Sequence, residues 1–270
     1  MSALAHTVPG LWIPPDAGKI HVARRLPRWL RHRTAADAAS LATTVVDIGA
    51  RVDYNASSKT QAITLTAGVD LLVVRHVNRD NGDVVSAMTY NTVALTDLDA
   101  QVDGGSTGYA TIWYLKDPDT GSALDLVITL DGSAHRCSFD WLGLSGTHET
   151  PMGVVKKASG AGSPASPAAL TDGATGDMAI ELGYIFQSTP PLTVSADTGQ
   201  TVDSDGAAST ANTDPYMISA HKEWGASYDP SWSYTGVGDS WAFIAVNVLS
   251  AAVAKKSRFA LRASRSGSNF

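Results

Sequence analysis

The stretch IWYLKDPDTGSALDLVITL, residues 112–130, contains two apolar runs separated by a turn rich in Asp, Pro and Gly. Each run has the length of a β-strand, and Asp-Pro and Thr-Gly pairs are typical of the turns that connect strands. Neighbouring side chains on a strand face opposite ways, so we expect Trp113 and Tyr114 to lie on opposite faces of a sheet. The stretch predicts an antiparallel pair of strands.

Similar short runs follow one another between Val45 and about Leu249, separated by turn clusters rich in Gly, Asp and Ser. Strands at this regular spacing predict an all-β fold, an antiparallel β-sandwich of the jelly-roll type over residues 45–250. The polar stretch from Gln187 to Asp214 is predicted to be a surface excursion. The ten runs are AITLT (62–66), DLLVVRHV (70–77), DVVSAMTY (83–90), GYATIWYLK (108–116), ALDLVITL (123–130), RCSFDWLGL (136–144), MGVVKKA (152–158), DMAIELGYIF (177–186), YMISAHKEW (216–224) and SWAFIAVNVL (240–249).

Charge divides the chain into an acidic body and two basic ends. Residues 1–33 carry a net charge of +5, and residues 255–270 also carry +5. Because the whole chain carries −6, residues 34–254 carry −16. This asymmetry predicts three parts, an arm over residues 1–44, the sandwich, and a basic tail over residues 251–270.

The arm is predicted to be extended and to anchor the protein to a partner. Its prolines interrupt regular structure, although a short helix is expected between Leu26 and Ala42. Its apolar residues are too frequent for a free tail, and Trp, Pro and Leu interleaved with the basic residues favour a protein partner over nucleic acid. The candidate assembly residues are Trp12, Arg24, Arg25, Arg28, Trp29, Arg31 and Arg33.

The sequence gives little sign of enzymatic or metal chemistry. The seven histidines show no metal-ligand spacing, and NRDNGD (78–83) lacks the final glutamate of an EF-hand loop. LGLSGTH (142–148) places Ser145 near His148 but lacks a nucleophile elbow, so it is interpreted as a turn between strands. We therefore expect no enzyme activity, no metal and no cofactor; an esterase or glycosidase of the cell envelope is the enzymatic alternative.

The cysteine count and the hydropathy of the sequence indicate the cellular compartment in which the protein is made. Cys137 is the single cysteine, which rules out an internal disulfide. No charged segment precedes an apolar run at the N-terminus, and no long apolar stretch occurs. We expect neither a secretory signal nor a membrane span, and synthesis in the cytoplasm.

Tryptophans in the body allow two interpretations. Exposed aromatic rings on a β-sandwich stack on sugar rings, whereas buried ones fill the core. Core packing is favoured, and stacking on a host-surface glycan is the alternative. The candidate stacking residues are Trp113, Trp224, Trp232 and Trp241.

The order of four motifs resembles a known family. DLLVV (70–74), VVSAMTYNTVALT (84–96), the opening stretch and FDWLGLSGTHETPMG (139–153) are similar, in this order, to jelly-roll proteins common in tailed-phage genomes, especially the minor tail proteins of phages of actinobacteria. The resemblance covers about residues 45–250. Thr92 stands where the family has a turn glycine, so a different hairpin geometry is expected at residues 90–93.

The resemblance implies a role as a structural protein of the virion, without catalysis or cofactor. It implies a minor tail or tail-tip component that contacts other virion proteins, forms a homo-oligomer in the particle, and binds no nucleic acid. A capsid decoration or head-fibre protein with the same arm and body, and a carbohydrate-binding module, are the alternatives.

Overall fold

The computed structural model describes residues 41–79, 84–103, 105, 108–186, 193–207, 215–225, 227–235 and 240–251. The chain divides into two units, residues 1–39 and residues 40–270, and the architecture below belongs to the second. Within the described ranges every regular element is a strand, which confirms the all-β prediction. The strands are β1 (Thr44–Ala56), β2 (Ser58–Thr64), β3 (Leu71–Asn78), β4 (Val85–Tyr90), β5 (Val93–Ala94), β6 (Thr96–Val102), β7 (Tyr109–Lys116), β8 (Ala123–Leu130), β9 (His135–Ser145), β10 (Thr147–Ala161), β11 (Met178–Ile185), β12 (Thr193–Ala196), β13 (Thr201–Ala207), β14 (Tyr216–Glu223), β15 (Trp232–Thr235) and β16 (Ser240–Ser250).

These strands form four antiparallel sheets. Sheet I has the order β2-β8-β4-β5, sheet II β1-β9-β3-β7-β6, sheet III β10-β16-β11-β14-β13, and sheet IV β12-β15. The antiparallel sandwich class is confirmed, and the number of layers exceeds the two of a simple sandwich.

Three apolar clusters show how the sheets stack. One cluster joins sheets I and II, with residues such as Met88 and Val74; a second joins sheets II and III, with residues such as Val73 and Ile180. A third lies on the far side of sheet III, where Phe243 packs against Tyr234 of sheet IV. Sheets II and III are therefore covered on both faces.

Double coverage explains the continuous apolar runs in the sequence. All residues of β3 and β11 are buried, as expected for strands with a packed layer on each side. Trp113 packs between sheets I and II and Tyr114 between sheets II and III, so the prediction of opposite faces is confirmed.

All ten predicted runs contain strands, but the prediction for residues 187–214 was wrong in part. That stretch contributes β12 and β13, and β13 forms the edge of sheet III, where Ser204 is buried. The helix predicted between Leu26 and Ala42 lies outside the described residues, apart from its last two positions.

The hairpin at residues 90–93 corrects a second prediction. Tyr90 pairs with Val93, and the two residues between them have positive φ, 46° at Asn91 and 67° at Thr92. Two positive φ angles define the turn type that an Asn-Gly pair adopts, so Thr92 takes the conformation expected of glycine despite its branched Cβ.

The first and last described residues meet at one end of the body. Leu41 forms an isolated antiparallel bridge with Ala251, whose N–H donates to the carbonyl of Gly146 at 2.7 Å. The Asp70 carboxylate accepts hydrogen bonds from the Gly146 N–H and the Thr147 hydroxyl. The backbone carbonyl of Asp70 accepts a hydrogen bond from the N–H of Asp117. We call the pair Leu41 and Ala251 the junction.

Candidate functional site

Arg75 lies at the centre of a buried charged network between sheets II and III. It sits on β3 and is fully buried. Its guanidinium makes two parallel hydrogen bonds with Asp140, the paired residue on β9, from Nε at 2.7 Å and from Nη2 at 2.9 Å. Nη1 donates to Asp203 of β13 at 2.8 Å, and to the carbonyl of Ala220 of β14 at 3.2 Å. One side chain thus joins strands of two sheets.

A bulge in β13 directs Asp203 into this network. Val202 pairs with Ala220 and Ser204 with Ser219, which leaves Asp203 as the extra residue between them. Its side chain is fully buried, and its second oxygen accepts a hydrogen bond from Nδ1 of His221 at 2.8 Å.

Arg75 and Asp203 keep their charges in this network. Burial disfavours ionisation of Arg75, but the carboxylates of Asp140 and Asp203 outweigh it and raise the pKa of the guanidinium above its usual value. Burial alone would raise the pKa of Asp203, but the His221 hydrogen bond and the Arg75 charge hold it below its usual range. Buried pairs of this kind add little net stability, yet removing one partner leaves an uncompensated charge. The network connects strands of the two sheets.

Glu181 is a second buried ionisable group, on the opposite face of sheet III. It lies in the middle of β11, and its carboxylate accepts hydrogen bonds from Nε2 of Gln200, at 2.7 and 2.6 Å, and from Nε1 of Trp232 at 2.9 Å. Burial raises the pKa of Glu181 to about 7, although both donors oppose the shift. Its polar contacts tie sheet III to the segments that cover it.

A cleft of about 500 Å³ opens beside the charged network. His221 belongs both to the cleft lining and to the network, through its hydrogen bond with Asp203. The cleft is polar, and no group of three metal-binding side chains is found in the described part of the chain. Its lining consists of Thr44, Val45, Met178, Gly199, Thr201, His221, Lys222 and Glu223.

The four tryptophans considered for glycan stacking are all buried, which agrees with the favoured interpretation of core packing and corrects the stacking alternative. Trp113 fills the core between sheets I and II, whereas Trp224, Trp232 and Trp241 belong to the cluster on the far side of sheet III. None is more than 7% exposed, which leaves no ring face for a sugar. The central strands β3 and β11 are packed on both faces, so aromatic rings on either side of them lie between layers.

Ser145 and His148 do not form a catalytic pair. The Ser145 hydroxyl bonds to that of Thr44 at 2.8 Å, and Nδ1 of His148 bonds to the Thr150 hydroxyl at 3.0 Å. Gly146 turns the chain between β9 and β10 with a φ of 73°, so the interpretation as a turn between strands is confirmed.

The other predicted residues fall where the structure gives no side chains. The assembly residues Trp12, Arg24, Arg25, Arg28, Trp29, Arg31 and Arg33 lie outside the described residues, as do four positions of the NRDNGD segment. Asp203, in the acidic stretch DTGQTVDSDG (197–206), is engaged by Arg75 and His221.

The sequence interpretation missed the buried charges, although a signal was present. Arg75, Asp140 and Glu181 each interrupt an otherwise apolar strand run, DLLVVRHV, RCSFDWLGL and DMAIELGYIF. A charge in the middle of such a run needs a partner when the strand is buried. That signal identifies the residues but not their partners, which come from distant strands.

Comparison with known proteins gives no family assignment. No family model matches the chain, and no curated protein matches it. A structure titled "Crystal structure of PBSX exported protein XepA" aligns with 77% of this chain and 88% of its own, at 10% identity and a TM-score of 0.17. A TM-score this low carries no argument about fold or function.

Proposed function

We propose that this chain is a non-enzymatic structural protein of a tailed-phage virion, a minor tail or tail-tip component. The observation that carries the proposal is the order of the four motifs between residues 70 and 153, which resembles minor tail proteins. The third and fourth motifs contribute Asp117 and Gly146, which are hydrogen-bonded to Asp70 beside the junction.

The body has properties that suit a structural part. Its sheets are packed in layers, and two of them are locked by the Arg75 network rather than by an open polar site. The one motif that suggested a nucleophile has its serine and histidine bonded to different partners. The described residues contain no helix long and apolar enough to cross a membrane.

The junction supports assembly through the basic segments. Residues 1–33 and 255–270 carry +5 each, and the chain reaches both of them through the paired residues Leu41 and Ala251. Two tethered binding segments that leave from one point engage a common partner with a high effective concentration. We infer that both act on neighbouring virion subunits, with repeated copies around the particle axis.

Two alternatives remain distinct. A capsid decoration or head-fibre protein has the same arm and body and differs only in location on the particle. A carbohydrate-binding module loses its main support, because Trp113, Trp224, Trp232 and Trp241 are buried. Attachment to a host-surface glycan would therefore use other residues.

The test is complementation of a phage that lacks this chain. Purified particles should contain the full-length protein, and electron microscopy should place it on the tail with a symmetric copy number. Absence of the protein from purified particles would refute the virion role, and a position on the head would favour the decoration alternative.

The arm is tested in the same particles. Deletion of residues 1–33 should leave a soluble, folded body that does not join particles. A matched variant, in which Arg24, Arg25, Arg28, Arg31 and Arg33 become Gln, keeps the chain length and separates charge from length. Incorporation of the deleted chain at the full-length copy number would show that the arm is not the anchor, and unfolding of the truncated body would show that the arm belongs to the core.

A further inference from the structure

Glu181 occupies an unusual position between sheet III and what we call the cover, residues 163–173, 193–200, 224–225 and 227–235. The cover packs on sheet III through a cluster rich in aromatic residues, including Tyr228, Trp232 and Tyr234. Its segments are joined by the bridges Ala165 to Trp232 and Leu170 to Tyr228. Glu181 reaches from sheet III and holds two separate parts of the cover, through Gln200 and Trp232.

Among the described residues, the direct partners of this carboxylate are neutral. An amide and an indole N–H donate to it, whereas Asp140 and Asp203 on the opposite face are held by a guanidinium. A charge buried among neutral groups lacks the compensation that an ion pair provides. The ionised form is therefore the weak point of the interface between sheet III and the cover.

The site also contains an acceptor for the protonated form. Oε1 of Gln200 is buried and has no hydrogen-bond partner. A half-turn of this amide would bring Oε1 to the carboxyl group, where it would accept the proton of a neutral Glu181. Gln200 can therefore donate to the ionised carboxylate or accept from the protonated carboxyl group, and the neutral state removes the buried charge.

Few charged groups act on Glu181. Arg75 of β3 acts from the other face of sheet III, and Lys222 of β14 favours the ionised form from nearby. The Lys222 ammonium is itself engaged, since it lies 4.8 Å from the Tyr228 ring centre and donates to the carbonyl of Thr198. The strands β12, β15 and β16 contain no Asp, Glu, Lys, Arg or His.

We propose that Glu181 is a proton-dependent latch: the cover is held closed on sheet III when the carboxyl group is protonated and loosens when it ionises. The step is a proton exchange with solvent, so no bond other than O–H changes. The latch is independent of the virion role, because it rests on contacts within the body.

The direction of the pH dependence follows from linkage. The pKa of Glu181 is about 7 with the cover closed, and its ordinary value of 4.5 applies once opening exposes it. The closed state therefore binds more protons, and it is stabilised as the pH falls from about 7 towards 4.5. Within this window the equilibrium constant for opening should rise about tenfold for each pH unit.

The experiment is direct because the whole chain contains only three glutamates, Glu149, Glu181 and Glu223. NMR of the full-length protein with ¹³C-labelled glutamate side chains should give three carboxyl signals. The signal that disappears in Glu181→Gln belongs to Glu181. We expect that signal to titrate near neutral pH together with the indole N–H of Trp232.

Opening is measured by hydrogen exchange of the β12 and β15 amides. Intrinsic exchange rises about tenfold per pH unit, so exchange limited by latch opening should rise about a hundredfold per unit in the window. Glu181→Gln should restore the tenfold slope, and Glu223→Gln, an exposed carboxylate on β14, should leave the slope of the native protein.

Two results would overturn the latch. One is a Glu181 signal that titrates near the ordinary value of 4.5. The other is a cover exchange slope that is unchanged by Glu181→Gln. If that variant does not fold, Gln200→Leu provides a second test, because it removes the amide from Glu181 and should shift the Glu181 titration upward; an unshifted titration would contradict the proposal.

Discussion

The two faces of sheet III bury charge in different ways. On the face towards sheet II, Arg75 is bound by two carboxylates, and its partners belong to strands of both sheets. On the face towards the cover, Glu181 is held by neutral donors, and burial raises its pKa to about 7. A cationic partner favours the charged form of a buried carboxylate more strongly than neutral donors do.

The largest effect is expected from removing Arg75, the cation of the buried network. Arg75→Met leaves Asp140 and Asp203 buried without their cation, which should reduce the free energy of unfolding by about 3–5 kcal/mol in urea denaturation. Arg51→Met is the matched control, because Arg51 forms a partly exposed pair with Asp53. Its loss should stay below about 1 kcal/mol. Equal losses in the two variants would erase the contrast between buried and surface pairs.

Removing the titratable charge of Glu181 should increase the free energy of unfolding, whereas removing Arg75 should reduce it. At pH 8 the native protein buries an ionised Glu181, so Glu181→Gln should increase the free energy of unfolding by up to about 3 kcal/mol. At pH 4.5 the native carboxyl is protonated and the gain should vanish. Chemical denaturation at both pH values checks this, and a gain that is equal at both would show that the effect is not ionisation.

Trp232→Phe sharpens the same contrast at a smaller scale. The change removes the indole N–H that donates to Glu181, so it should destabilise the protein by about 2 kcal/mol at pH 8, where the acceptor is charged, and by less at pH 4.5. Trp241→Phe removes an indole hydrogen bond to the neutral carbonyl of Gly162. Its cost should be independent of pH, and denaturation curves of the two variants at both pH values compare them.

The smallest effect is expected in sheet I, which contains neither of the two buried charges compared above. Thr92 has a φ of 67° in the β4–β5 hairpin of sheet I, a conformation that disfavours a branched side chain. Thr92→Gly should stabilise the protein by up to about 1 kcal/mol at every pH, and its effect should add to that of Glu181→Gln. Val93→Gly, at the adjacent strand position, should be destabilising. A loss in thermal stability for Thr92→Gly would contradict the strain argument.

The strands were predictable from sequence because each run carries its own signal. Runs such as DLLVVRHV and SWAFIAVNVL are apolar at most positions and do not alternate with polar residues, which indicates strands buried on both faces. β12 and β13 were missed because they are short, polar and located among turn residues. Their place depends on pairing with β15 and β14, which no local pattern encodes.

The candidate site was less predictable for a related reason. A single charge within an apolar run marks Arg75, Asp140 and Glu181, but their partners lie far away in sequence. Asp203 is 128 residues from Arg75 and enters the network only through a bulge. The tryptophans show the converse, since the sequence correctly favoured core packing while the layers that bury them were not foreseen.

The junction has a mechanical consequence. Because Leu41 and Ala251 are bridge partners, the chain enters and leaves the body at neighbouring positions. Tension applied between the two flanking segments would therefore act first on this bridge, and the strand pairs behind it would bear the force only after the bridge had opened.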